Sequence, residues 1–261
     1  MTVPNPQNLS EWAGLFIGGL IAPFFCLGSL IRRDRFFHPR GICFLAQVTS
    51  SDTIPELQPL ARRLTGTALV RLSAGVWRRT HRGLPDVLGF AIRFGAHPPE
   101  DTFHESTQDL LTASSRKLWT LLPDSLRTQR DSFMSNRYWG MTLFHIDEQR
   151  NCQVAIQPLE PDGDGYDRFE RIRNATAAGH ARFALEVAIS GDPNWHPVAV
   201  IELLEEVVID EEQLLFTPFN AYLGIRPQGF LQFLRYFPYL ASWAGRNLAA
   251  HIVSHEAYSI P

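Results

Sequence analysis

The chain has 261 residues, with 24 Lys+Arg against 27 Asp+Glu and a formal net charge of −3. Hydrophobic residues make up 45% and charged residues 20%, the ordinary balance of a folded domain large enough to bury a sizeable core. That balance argues against a nucleic-acid partner. Cys26, Cys43 and Cys152 have no paired spacing, which argues against a disulfide framework or zinc ribbon and fits a reducing, cytoplasmic setting.

Trp12 to Ile31 carries no charged residue and is closed by Arg32 and Arg33. Its length reaches that of a bilayer span, with the arginines on the cytoplasmic side. Gly18, Gly19, Pro23, Gly28 and Ser29 weaken an isolated helix. The segment, residues 1–31, is therefore read first as an apolar N-terminal arm that packs on the domain or on a second subunit, as in a homodimer. The alternative is a membrane anchor through residues 12–31.

Residues 32–261 form the main domain. Short apolar runs bounded by turn residues predict strands at 41–48, 68–73, 87–94, 141–146, 152–157, 181–190 and 198–209, with 214–216 as an eighth. A helical stretch is expected from about 107 to 136, broken at Pro123 and Asp124, and a second from about 229 to 255. The order predicts an α+β fold built on an antiparallel sheet or barrel, with inserted and C-terminal helices. Asp162, Asp164 and Asp167 lie in a polar loop whose glycine is misplaced for a calcium site. His251 and His255, four apart near the chain end, have no third ligand in view.

Nucleophile elbows, phosphate loops, dinucleotide fingerprints and zinc-protease motifs are absent from the sequence. Two sets of residues stand out instead. Offsets of 4 and 11 on a helix return to within about 40° of the starting direction, so Arg235, Tyr239 and Arg246 share one face. Two arginines flanking a tyrosine point to a buried anion or a phenolate, although arginines snorkelling over apolar surface would have the same spacing. In Ala68–Ser73, alternation places Leu69, Arg71 and Ser73 together; should that face line the barrel interior, Arg71 needs a buried partner.

Taken in order, these segments resemble the heme-dependent catalase family, in particular small members reduced to the barrel core. Arg35-Phe-Phe-His38-Pro-Arg-Gly41 is similar to the family's Arg-Val-Val-His-Ala-Lys-Gly, and Val70-Arg71-Leu-Ser73 to its Val-Arg-Phe-Ser. Asp86-Val-Leu-Gly-Phe-Ala-Ile-Arg-Phe94, Leu118-Trp-Thr-Leu-Leu-Pro-Asp-Ser125 and Phe216-Thr-Pro-Phe-Asn220 with Gly224-Ile225 follow the family in the same way. Arg235-x-x-x-Tyr239 with Arg246 repeats the spacing of its tyrosine ligand and supporting arginines.

The resemblance implies a catalase-like antiparallel eight-stranded β-barrel that binds heme b and turns over a peroxide. It implies Tyr239 as the iron ligand with Arg235 beside it, and Arg35, Arg71 and Arg246 on the propionates. It further implies His38 as the distal acid–base, held by Ser73. One departure shifts the expected chemistry. The family's distal asparagine is missing from Asp109-Leu-Leu-Thr112-Ala-Ser-Ser115, where Thr112 or Ser114 offers the substitute donor. Peroxidase-type turnover, or processing of an organic or lipid hydroperoxide as in the allene oxide synthase branch, is then expected ahead of dismutation. The alternative is a non-enzymatic heme-binding or membrane-associated scaffold.

Overall fold

Alternation drives the first strand: along Arg40–Ser50 (β1), Ile42, Phe44, Ala46 and Val48 are buried while intervening residues face the other side. The same logic builds Gly66–Ala74 (β2), Leu88–Phe94 (β3), Gln108–Ala113 (β4), Tyr138–Trp139 (β5), Leu143–Ile146 (β6), Gln149–Pro158 (β7), Arg182–Ala188 (β8), His196–Glu206 (β9) and Ile225–Gln228 (β10). The structure, a computed structural model, describes residues 4–32, 38, 40–75, 85–96, 106–209 and 214–258.

All pairings are antiparallel. The order β7-β5-β4-β3-β2-β1-β9-β8 returns from β8 to β7, so eight strands close into a barrel, and β6 with β10 branches off the start of β7. Closure leaves those strands no open edge to pair with another chain. The interior is a continuous apolar core that includes Phe44, Val70, Leu72, Phe90, Phe183 and Leu185.

Gln58–Leu64 (α2) and Arg168–Ala177 (α4) pack on the barrel around Leu60, Leu64, Phe169 and Ile172. Leu121–Arg127 (α3) follows a single 3-10 turn at Leu118–Thr120. Leu9–Arg32 (α1) and Phe230–Tyr258 (α5) form a long helix pair beside the barrel.

Two expectations are corrected, and a third segment gains a role. The helix expected over 107–136 is confined to 118–127; residues 108–113 are strand β4, since Asp109 and Leu110 pair with Arg93 and Ile92 in the wall. Leu214–Phe216 is not a strand but part of a strap laid across the outside of the wall. The polar loop ends in a helix start: the Asp167 carboxylate accepts from the backbone N–H of Phe169 and Glu170, both at 2.9 Å, capping α4.

Candidate functional site

The two faces of the barrel wall have opposite chemistry. Ala68, Val70 and Leu72 point into the core, so Leu69, Arg71 and Ser73 point outward. Arg71 therefore does not line the interior. It is buried beneath what covers the wall, and a Cβ on Gly41 would lie 2.5 Å from its guanidinium carbon.

His38 enters the same outer surface just ahead of β1. Its φ of 59° is the left-handed conformation a non-glycine residue adopts only when its surroundings hold it there. Its N–H donates to the Gly75 carbonyl at 2.8 Å, and Arg71 Nη2 donates to its carbonyl at 3.1 Å. The ring Nδ1 lies 3.0 Å from Ser73 Oγ. Gly89, opposite Ser73 in the register, makes room: a Cβ there would sit 2.6 Å from the imidazole and 2.7 Å from Ser73 Oγ. The imidazole is thus laid against bare backbone, a placement no larger residue at 89 permits.

A few residues along the same wall is a buried ionic cluster. Arg93 Nε and Nη2 donate to the two Asp109 oxygens at 2.7 and 2.9 Å, with both side chains fully buried. Asp109 also accepts from Thr217 N–H at 3.0 Å and Asn220 Nδ2 at 2.9 Å, and Arg93 donates to the Leu215 carbonyl. This charge-assisted set pins the strap, residues 214–220, to the wall. It accounts for the Phe216–Asn220 motif in physical terms.

The strap in turn meets α5. Phe219 packs edge-on against Phe233 and Tyr236, and Arg246 Nη2 donates to the Leu214 carbonyl at 3.3 Å. On α5, Arg235 Nη2 donates to the Tyr239 hydroxyl at 2.6 Å while Nη1 reaches Gln232 Oε1 at 3.3 Å. Arg235 and Tyr239 meet directly, while Arg246, two turns on, bonds the strap. These side chains sit on the α5 face turned away from α1, because the α1 seam uses Phe230, Leu234, Phe237 and Gly245. The helix runs on through Pro238, which cannot bond the Leu234 carbonyl; Gly18 of α1 approaches that oxygen instead.

Thr112 does not join this set. Paired with Phe90, it sits on the inner face, where its hydroxyl donates to the Phe90 carbonyl at 2.8 Å. Ser114 Oγ is engaged by Leu88 N–H and Thr128 Oγ1, each at 2.9 Å. The outward position beside Gly89 belongs to Ala113. Arg35 lies outside the described residues, as do the side chains of His251 and His255. Sequence reasoning missed Arg93 and Asp109; the signal was available as a charged pair at facing positions of two apolar strands.

A porphyrin with an anionic oxygen ligand fits the residues present. The phenol oxygen faces a cationic donor, the imidazole rests in a cradle that a Cβ would fill, and buried Arg71 and Arg246 match two carboxylates in charge. Among the described residues, no cluster of three or more His, Cys, Asp or Glu side chains forms a metal-holding group.

No protein-family model matches the chain, and no curated protein matches it in sequence. Among solved structures, it is similar to a fungal catalase with a TM-score of 0.54 at 13% sequence identity, over 78% of this chain. The match spans 57% of the length of that catalase. The fold is catalase-like; at this identity the likeness extends to nothing finer.

Proposed function

We propose that this protein is a heme-dependent, catalase-like oxidoreductase acting on hydrogen peroxide or, more readily, on an organic hydroperoxide. The observation that carries the reading is the Arg235–Tyr239 pair, a guanidinium 2.6 Å from a phenol oxygen on the face of α5 turned away from α1. An arginine so placed donates a charge-assisted hydrogen bond to that oxygen and suits Tyr239 to serve as an iron ligand. Arg71 and Arg246 would pair with propionates, with Arg35 proposed as the third partner from its place in the motif. When bound, heme b would supply the redox chemistry of peroxide cleavage.

The chain's own residues then have separate tasks. With Nδ1 engaged by Ser73, proton exchange with a peroxide falls to His38 Nε2, which takes a proton from the attacking oxygen and returns it to the departing one. Ser73 and Gly89 fix the plane of the ring, while Arg71 fixes its backbone through the His38 carbonyl. Thr112 faces the core, so it contributes no polar contact to a peroxide, and the reading favours peroxidase turnover over dismutation. That same placement favours the second reading, a catalase-fold protein that binds heme without turning over peroxide.

Heme reconstitution tests both. The wild type is expected to give a Soret band, and Tyr239→Phe to abolish or strongly shift it. Heme uptake with no activity toward hydrogen peroxide, alkyl peroxides or fatty-acid hydroperoxides would select the non-enzymatic reading. Failure to take up heme would end both.

A further inference from the structure

We infer that this protein docks on an anionic lipid bilayer with α1 lying in the plane of the interface, its apolar edge inserted and the barrel above it. This rests on the outer helix layer and not on the heme reading.

One edge of α1 is an unbroken apolar ridge. Trp12, Phe16, Leu20, Phe24, Leu27 and Ile31 recur every three or four residues and are each 56–72% exposed. At 1.5 Å per residue the ridge runs for about 28 Å. The opposite edge is committed to α5. Gly14 and Gly18 bring the backbones together at Phe230 and Leu234, Gly245 does so at Cys26, and Ser29 Oγ lies 2.7 Å from Ser242 Oγ. Small residues at such positions allow close helix contact.

This seam decides between lying flat and spanning. α5 cannot follow α1 into hydrocarbon, because its far face carries Gln232, Arg235 and Arg246, the last bonded to the barrel strap. An upright α1 would have to unzip the whole seam and release Glu11, whose carboxylate accepts from the backbone N–H of Gln7 at 2.7 Å and Gly229 at 2.9 Å.

Charge selects the occupant. Glu11 is turned inward and 3% exposed, so the α1 ridge carries no acid, and Arg32 closes it. A second apolar edge adjoins it: Trp119, Leu122 and Leu126 are exposed on the 118–127 segment, flanked by exposed Arg116, Lys117 and Arg127. Asp124 there is occupied by Ser115, Thr120 and the Arg116 N–H. Trp119 lines the same cavity, about 380 Å³, as Phe230 and Leu231 at the start of α5, so the two edges meet at one end of the helix layer. Apolar ridges with tryptophan ends and a basic border match an anionic bilayer surface. A second copy of the chain would bring the same basic border against itself.

The test uses the full chain and vesicles of phosphatidylcholine with and without phosphatidylglycerol. The wild type should pellet with the anionic vesicles, more weakly in high salt, and be released by alkaline carbonate. Replacing Phe16, Leu20 and Phe24 together by Asp should lower the bound fraction at least tenfold; since these side chains point outward, the thermal transition should stay in place. Retention of the wild type after carbonate would overturn the inference in favour of a span. Undiminished binding by the triple variant would also overturn it. So would wild type that ignores vesicles, whether monomeric or forming a dimer that the triple variant splits.

Discussion

The inner and outer faces of strands β2 to β4 are made from alternate residues of the same segments and obey opposite rules. Inside, Val70, Leu72, Phe90, Ile92 and Leu110 are buried by shape and hydrophobicity alone. Outside, Arg71, Ser73, Arg93 and Asp109 are equally buried, yet each is held by directed bonds to a neighbour, the strap or the His38 segment. The inner face tolerates any apolar residues of suitable volume. The outer face depends on partners, because a buried charge without one is costly. Chemistry can therefore change on the outside while the barrel persists.

The largest effect is expected where that dependence is strongest. Asp109→Ala leaves Arg93 buried without its carboxylate and should cost about 3–5 kcal/mol in denaturant unfolding. A loss under about 1 kcal/mol would mean that the cluster does not hold the strap. On the inner face, Leu72→Ala should cost about 2–5 kcal/mol through a cavity while leaving heme uptake unchanged at equal folded fraction.

Gly18→Leu drives a side chain into the Leu234 carbonyl and should part α1 from α5. Cysteines at 29 and 242, where the serine oxygens are 2.7 Å apart, should form a disulfide in the parent chain, and Gly18→Leu should suppress it. Ser73→Ala removes one bond to His38 and should cost about 1 kcal/mol of stability. Its larger effect should fall on peroxide turnover, and equal loss of both would argue for a purely structural serine.

The smallest effect is a pH dependence in α3. Burial raises the Asp124 carboxyl pKa, but hydrogen bonds from Thr120, Arg116 N–H and Ser115, with Arg127 nearby, outweigh it and hold the group below the ordinary carboxylate value. Its stabilisation is thus complete above about pH 4 and is lost as pH falls through the lowered value. Amide exchange across residues 116–128 should quicken in that acid range, and Asp124→Asn should abolish the change.

Much of the fold was legible because alternation is local. The expected runs at 41–48, 68–73, 152–157 and 198–209 each overlap a barrel strand, and the 229–255 run overlaps α5. Gln108–Ala113 misread as helix because its residues have no strong strand preference; the wall on both sides makes it a strand. Ile225–Gln228 was hidden by Pro227, which is tolerated at the sheet's end. The Asp167 cap, with Glu170 three residues on, was a helix-start pattern left unread.

By itself, the sequence determined that an apolar N-terminal segment, an antiparallel sheet and a helix bearing Arg235, Tyr239 and Arg246 on one face would form. Those depend on periodicities of two and of about 3.6 residues, which neighbouring positions carry. Which face of each strand meets the core was a tertiary decision. So were the retreat of Thr112 from the outer wall and the laying of His38 against Gly89. Alternation divides a strand into two sides, and only closure of the barrel tells them apart.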